Sequence, residues 1–181
     1  ATRETLENIK NNVTPSGSNS TDLSIVGRIA PLLLVSKSKE EFLQNVEKFV
    51  KLTHNSEKSV SATLFFAKVL LSCLNGKDVI SAIESIKEES NRNIQEFVQK
   101  GLDSKAGETI REFGPACDVA EGFSGIIHLL SKYSNLKDML ICNAKAGGDS
   151  SARGMIAAII FMTNQPSSQI PQNWLAIKEV I

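Results

Sequence analysis

In its most informative segment the chain reads Gly147-Gly148-Asp149-Ser150-Ser151-Ala152-Arg153-Gly154, followed directly by the apolar run Met155–Met162. The two glycines carry no Cβ atom and therefore allow a tight turn. Asp149 and Ser150 stand where a helix should begin, and short polar side chains there accept hydrogen bonds from the first N–H groups. The run that follows is apolar on almost every face, which predicts a buried helix. The carboxylate at its start can serve as a metal or sugar ligand, and it can equally be a simple helix cap.

The remaining sequence carries helical patterns almost throughout. Ser38 and Glu41 have capping-box spacing, and Asn75-Gly76 is typical of a helix end. No stretch shows sustained period-two alternation, and no hairpin signal lies between β-rich runs. The sequence therefore predicts an all-α fold, a compact multi-helix bundle of about eight to ten helices. We expect helical segments near residues 2–12, 22–34, 41–50, 59–74, 79–86, 94–101, 126–133, 136–144 and 150–162, with a bend at Pro31 and a last short helix around Trp174.

Length and charge limit the classes of protein to which the chain can belong. Its 181 residues predict a single all-α domain or partial domain, with a polar N-terminal segment and loop over 1–21 and a helical region over 22–181. Twenty basic and twenty acidic residues balance, so we expect neither a nucleic-acid nor a membrane partner. No signal peptide is visible in 1–20. Three widely spaced cysteines are typical of reduced thiols in a cytoplasmic protein.

Few residues outside the segment 147–154 suggest a catalytic, metal-binding or ligand-binding role. The chain has no Walker A loop, no GxSxG elbow and no CxxC or HExxH metal pattern. His54 lies at a predicted junction of two helices, where its ring can face a pocket, whereas His128 lies inside an apolar run and should be packed in the core. Arg28 lies in another apolar segment. A buried arginine needs partners, so it should either form a salt bridge between helices or bind a carboxylate or phosphate.

Together these segments resemble the C-terminal part of the ADP-ribosylglycohydrolase family, which includes the dinitrogenase-reductase-activating glycohydrolase and the J-type crystallins. The order and spacing agree over about residues 22–174. Four stretches carry the resemblance besides Cys117–Leu130: Asp22-Leu23-Ser24-Ile25-Val26-Gly27-Arg28-Ile29-Ala30-Pro31, Leu52-Thr53-His54-Asn55-Ser56, Gly147-Gly148-Asp149 and Ile170-Pro171-Gln172-Asn173-Trp174.

The resemblance implies an all-α fold that hydrolyses the glycosidic bond between ADP-ribose and a modified side chain. The expected partner is ADP-ribose or an ADP-ribosylated protein, and the expected cofactor is magnesium. Four residues would line the ligand site: Ser24, Gly27, Arg28 and His54. Asp149 and Ser150 would be metal ligands. The resemblance identifies no catalytic residue in this chain.

Two departures from the family pattern bear on this function. Ser151 stands where the family has a second aspartate, and Ala152 replaces a threonine. Magnesium prefers several anionic oxygens, so the loss of a carboxylate should weaken at least one metal site, and an inward-pointing Arg153 would weaken it further.

The family's N-terminal half, which carries the other metal ligands, is absent from the sequence, and the chain begins at Ala1. We therefore expect a fragment, a processed product or one half of a protein whose other half is separate.

Three functions remain open at this point. The first is a divergent ADP-ribosylglycohydrolase with magnesium assistance. The second is a non-catalytic relative that binds ADP-ribose or a nucleotide, or that serves a structural role as the crystallins do; the substitutions at Ser151 and Ala152 favour it. The third is a helical protein-interaction domain without a ligand, which predicts no pocket near Asp149.

Overall fold

The secondary structure is helical throughout the parts of the chain that the computed structural model describes, residues 1–105 and 110–176. Within them, two isolated bridges are the only β-structure. The α-helices in these ranges are α1 (Thr2–Lys10), α2 (Lys39–Thr53), α3 (Glu57–Leu74), α4 (Val79–Glu88), α5 (Arg92–Asp103), α6 (Val119–Lys132), α7 (Leu136–Ala146), α8 (Ser150–Met162) and α9 (Gln172–Leu175). Short 3₁₀ helices cover Leu23–Arg28, Ala30–Leu34, Ile110–Glu112 and Ser167–Gln169. The prediction of an all-α fold is confirmed.

Side-chain caps begin most of the described α-helices, and the predicted cap at Ser38 is among them. The Oγ of Ser38 accepts the amide hydrogen of Glu41 at 3.1 Å. The Glu41 carboxylate reaches back to the amide of Lys37 rather than to that of Ser38, at 2.7 Å, so the capping box is shifted by one residue. Helix α3 ends at Asn75-Gly76 as predicted, and Gly76 has a φ of 89°.

The largest differences from the predicted helices lie in three segments. Residues 23–34 form two 3₁₀ helices instead of a bent α-helix, with Pro31 in the first turn of the second. Helix α5 continues past Gly101 to Asp103, and the glycine serves close packing instead of ending the helix: a Cβ atom there would sit only 2.6 Å from the Cβ of Ile127 on α6. Helix α6 begins at Val119 and not near residue 126, since the side chain of Asp118 caps it.

The apolar core lies where α3, α6 and α8 pack together. Phe123 of α6 is fully buried, and its ring centroid is 4.7 Å from that of Phe66 and 5.2 Å from that of Phe65. On α8, Ile156 and Ile160 are buried, in agreement with the prediction for this helix. In the described ranges, we find no helix long and apolar enough to cross a bilayer.

Candidate functional site

A pocket of about 430 Å³ brings together three of the four residues predicted to bind a ligand. It lies between α1, the 3₁₀ turn after Asp22 and the C-terminal end of α2. The predicted residues in its wall are Ser24, Arg28 and His54, and Asp22 and Thr53 join them. The pocket depends on long-range contacts: the Thr5 hydroxyl of α1 donates to the carbonyl of Thr53 at 3.2 Å.

Arg28 does not have the buried position that its apolar neighbours predicted. Its side chain is exposed at the pocket, and its Nη2 donates to the Oγ of Ser24 at 3.1 Å. None of the salt bridges among the described residues involves Arg28. The 3₁₀ helix places Arg28 at the surface, whereas Val26 and Ile29 are buried. A planar guanidinium at a pocket wall suits bidentate contact with phosphate or carboxylate.

His54 is buried at the inner end of the pocket, with 4% of its surface exposed. Its Nδ1 lies 2.8 Å from the Thr53 hydroxyl oxygen. Its backbone forms a bridge with Ser18, which holds the preceding loop against α2. Burial lowers the pKa of the imidazole below its ordinary value of 6.5, although the Asp22 carboxylate opposes this shift. His54 is therefore a neutral hydrogen-bonding group at neutral pH.

This lowered pKa predicts a pH dependence of stability. As the pH falls below about 6.5, the unfolded chain takes up a proton at His54 before the folded chain does, so folding loses free energy. In His54→Gln this contribution disappears. We expect the drop in melting temperature between about pH 7 and pH 5.5 to be smaller in the variant than in the wild type. Identical drops, measured by circular dichroism in matched buffers, would show that burial does not disfavour the charged imidazole.

Gly27, the fourth residue predicted to bind a ligand, lies away from this pocket. It is buried, and a Cβ atom at this position would overlap the side chain of Met155 on α8. The glycine therefore allows the 3₁₀ turn to lie close to α8. The close neighbour of Gly27 is thus Met155 on α8, and the glycine is not among the residues that line the pocket containing Arg28.

Asp149 caps α8, as its position after the glycine turn predicted. Its Oδ1 accepts the amide hydrogen of Ala152 at 3.1 Å, and its own amide donates to the carbonyl of Pro115 at 2.8 Å. The turn before it is formed by Gly147 and Gly148, with φ values of 73° and 63°. Beside it, Ser150 is partly exposed.

The described residues around Asp149 do not make a complete magnesium site. In the part of the chain that the structure describes, no group of three or more His, Cys, Asp or Glu side chains could hold a metal ion. Ser151 is exposed and offers only a neutral hydroxyl, and Ala152 has no side-chain oxygen, so neither supplies the missing carboxylate. Arg153 points inward and is fully buried. Its positive charge lies close enough to Asp149 to interact with it, which disfavours a cation at this end of the turn.

Cys117 links the region around Asp149 to the pocket. Partial desolvation raises the pKa of its thiol, and the carboxylates of Asp22, Asp149 and Asp118 raise it further. The backbone ties these segments together: Leu23 donates to the Cys117 carbonyl at 2.7 Å. The exposed Cys117 thiol is thus close enough to the three aspartates to interact with them electrostatically, and Asp22 is the one among these four residues that lines the pocket containing Arg28.

Sequence reasoning missed Asp22 as a lining residue of the pocket and Asp118 as the residue that pairs with it, because both are helix caps. Asp22 accepts the amide hydrogen of Ser24 at 2.8 Å, and Asp118 accepts that of Ala120 at 2.7 Å. Their positions before helices predict capping and nothing more. Only the bridge between Asp22 and Asp118, 96 residues apart in sequence, brings them together.

Comparison with known proteins supports the resemblance noted from the sequence. The family model for ADP-ribosylglycohydrolase matches residues 1–179. The crystallins J1A and J1B of Tripedalia cystophora are each 22% identical over 165 residues, covering 89% of this chain and 51% of theirs. A solved structure described as an ADP-ribosylglycohydrolase-related protein complex superposes with a TM-score of 0.76 at 18% identity, over 96% of this chain and 61% of that one. The chain thus spans about half the length of these curated relatives, and it belongs to the ADP-ribosylglycohydrolase family.

Proposed function

We propose that this chain carries the ADP-ribose-binding part of an ADP-ribosylglycohydrolase. Its reaction would be hydrolysis of the glycosidic bond between ADP-ribose and a modified protein side chain. The observation that carries the proposal is the pocket in which Ser24 and Arg28, four residues apart, meet His54, which follows Arg28 by 26 residues. All three lie in stretches that resemble the family pattern. Family membership supports a glycohydrolase-like activity.

The chemistry of the pocket matches the parts of ADP-ribose. The Arg28 guanidinium would bind the diphosphate, because its N–H groups form a fork that fits two phosphate oxygens. The Asp22 carboxylate and the Thr53 hydroxyl would accept or donate hydrogen bonds at ribose hydroxyl groups. The neutral imidazole of His54 adds a polar group without a positive charge. It would therefore not draw an anion other than ADP-ribose into the pocket. No step of hydrolysis is assigned to a residue of this chain.

Magnesium would need ligands from outside the described residues. We retain Asp149 and Ser150 as proposed metal ligands, which the N-terminal half of a full-length relative would complete. That half, in the same protein or in a separate chain, is the proposed partner along with the ADP-ribosylated substrate. We also propose a cytoplasmic location, which the three cysteines, none in a disulfide, support.

The second candidate is a non-catalytic relative that binds ADP-ribose or serves a structural role. Two observations favour it: the exposed Ser151 where the family has an aspartate, and the buried positive charge of Arg153 close to Asp149. The similarity to the J-type crystallins is compatible with this candidate.

Calorimetric titration of ADP-ribose into the chain, with and without magnesium, tests both candidates. Because the described residues do not complete a magnesium site, the titration is repeated with the N-terminal half of a full-length relative added, and the glycohydrolase proposal predicts that magnesium then strengthens binding by about tenfold or more. Binding of equal strength in both buffers with that half present would support the non-catalytic relative. Absence of heat in both would contradict ADP-ribose as the ligand of this pocket.

A further inference from the structure

Arg153 is a fully buried arginine in the first turn of α8, four residues after Asp149. Burying a guanidinium group is unfavourable unless its N–H groups find acceptors. Here each nitrogen has one: Nε donates to the Oδ1 of Asn143 at 3.1 Å, Nη1 to the carbonyl of Pro115 at 3.1 Å and Nη2 to the carbonyl of Gly147 at 2.5 Å. Burial lowers the pKa of the guanidinium, and the Asp149 carboxylate opposes this shift.

Helix α6 leaves room for the aliphatic part of this side chain. A Cβ atom at Gly125 would lie 3.3 Å from the Cδ of Arg153, and one at Gly122 would lie 3.9 Å from its Cγ. The first distance is tighter than ordinary van der Waals contact, so an alanine at Gly125 would press on the arginine. The neighbouring helix is thus shaped to accept a long side chain at this place.

One acceptor of Arg153, the carbonyl of Pro115, precedes a segment that pairs with the pocket wall at Asp22. The carbonyl of Pro115 also accepts the amide hydrogen of Asp149 at 2.8 Å, so the guanidinium and the Asp149 turn share one acceptor. The segment after Pro115 runs directly to Cys117 and Asp118. Its backbone then pairs with the segment around Asp22, at the pocket that contains Arg28.

We propose that Arg153 is a positioning residue of this site, whose guanidinium fastens the 147–149 turn to the 115–118 loop. It holds the Asp149 turn in one arrangement relative to the loop that leads to Asp118, and that loop pairs with the pocket segment at Asp22. A lysine could donate to these acceptors only from a single nitrogen, whereas the planar guanidinium meets all three at once. The expected effect on ADP-ribose affinity rests on the function proposed above. The hydrogen-bonded link between the two loops does not depend on that function.

Amide hydrogen exchange and ADP-ribose titration on Arg153→Met test this role. Methionine fills much of the same space without the donors. We expect the Asp149 amide to exchange at least about tenfold faster than in the wild type, and ADP-ribose to bind about tenfold more weakly. Arg153→Lys should recover part of both effects, because one charged donor returns. The matched control is Ile83→Ala, a buried change on α4, which packs on α3, α5 and α6.

The proposal is overturned if Arg153→Met and Ile83→Ala, compared at equal loss of stability, show the same Asp149 exchange rate and the same affinity. If Arg153→Met does not fold, the wild type supplies the deciding measurement. Its Arg153 Nε–H resonance should exchange slowly with water, and rapid exchange would overturn the proposal. If wild-type chain binds no ADP-ribose, the proposed function fails, and the two exchange measurements still decide the role of Arg153.

Discussion

Gly148→Ala should lower the free energy of unfolding by about 3 kcal/mol, a shift in melting temperature of roughly 10 °C for a chain of this size. Two causes act together. The φ of 63° at Gly148 strains any residue with a Cβ atom. That Cβ would also overlap the backbone carbonyl of Pro115, which accepts the amide hydrogen of Asp149. Because a backbone group does not move aside cheaply, the turn and the 115–118 loop must separate.

Gly76→Ala is the matched control for this prediction. Gly76 has a φ of 89°, but a Cβ atom there has no neighbour within 4 Å. Its alanine variant should therefore suffer backbone strain alone, about 1 kcal/mol. Thermal and urea unfolding of both variants give the comparison. Equal losses in the two would mean that the contact with Pro115 does not constrain the Asp149 turn.

Phe123→Ala should lower the free energy of unfolding by about 3–5 kcal/mol. The ring is fully buried on α6 and lies within 5.7 Å, centroid to centroid, of the rings of Phe65, Phe66 and Phe97. Removing it opens a cavity at the junction of α3, α5 and α6 that the surrounding rings fill only in part. Urea unfolding measures the loss directly.

Phe49→Ala provides the same change of side chain at a partly buried position on α2. We expect it to cost about 1–2 kcal/mol, because less of the ring leaves contact with other apolar groups. If Phe123→Ala proved no more destabilising than Phe49→Ala, the four-ring cluster would not be the centre of the core.

Local sequence patterns predicted most helices because their signals are local. Apolar spacing located α2, α3 and α8, and the Ser38 cap and the Asn75-Gly76 end were placed where the structure has them. The failures arose from contacts between distant segments. Gly101 lies inside α5, where the absence of a Cβ atom lets Ile127 of α6 pack against it. No pattern within α5 indicates this contact.

The candidate site was predictable only in part. The family resemblance grouped Ser24, Arg28 and His54, and the structure places all three in one pocket. Composition around Arg28 predicted burial, and this was wrong because a 3₁₀ turn exposes that residue. The hydrogen bonds of Arg153 could not be predicted from the sequence around it. Its acceptors at Pro115 and Gly147 belong to two loops that only the fold brings together.

Titration of ADP-ribose into Arg28→Gln and Arg92→Gln, side by side with the wild type, tests the central claim most directly. Arg92 is an exposed arginine on α5 whose only ion-pair partner among the described residues is Glu96, one turn away, so its loss removes the same charge outside the pocket. If the pocket at Arg28 binds the diphosphate, Arg28→Gln should weaken binding by about tenfold or more, while Arg92→Gln binds as the wild type does. Equal affinities in the two variants would contradict the assignment of ADP-ribose to this pocket.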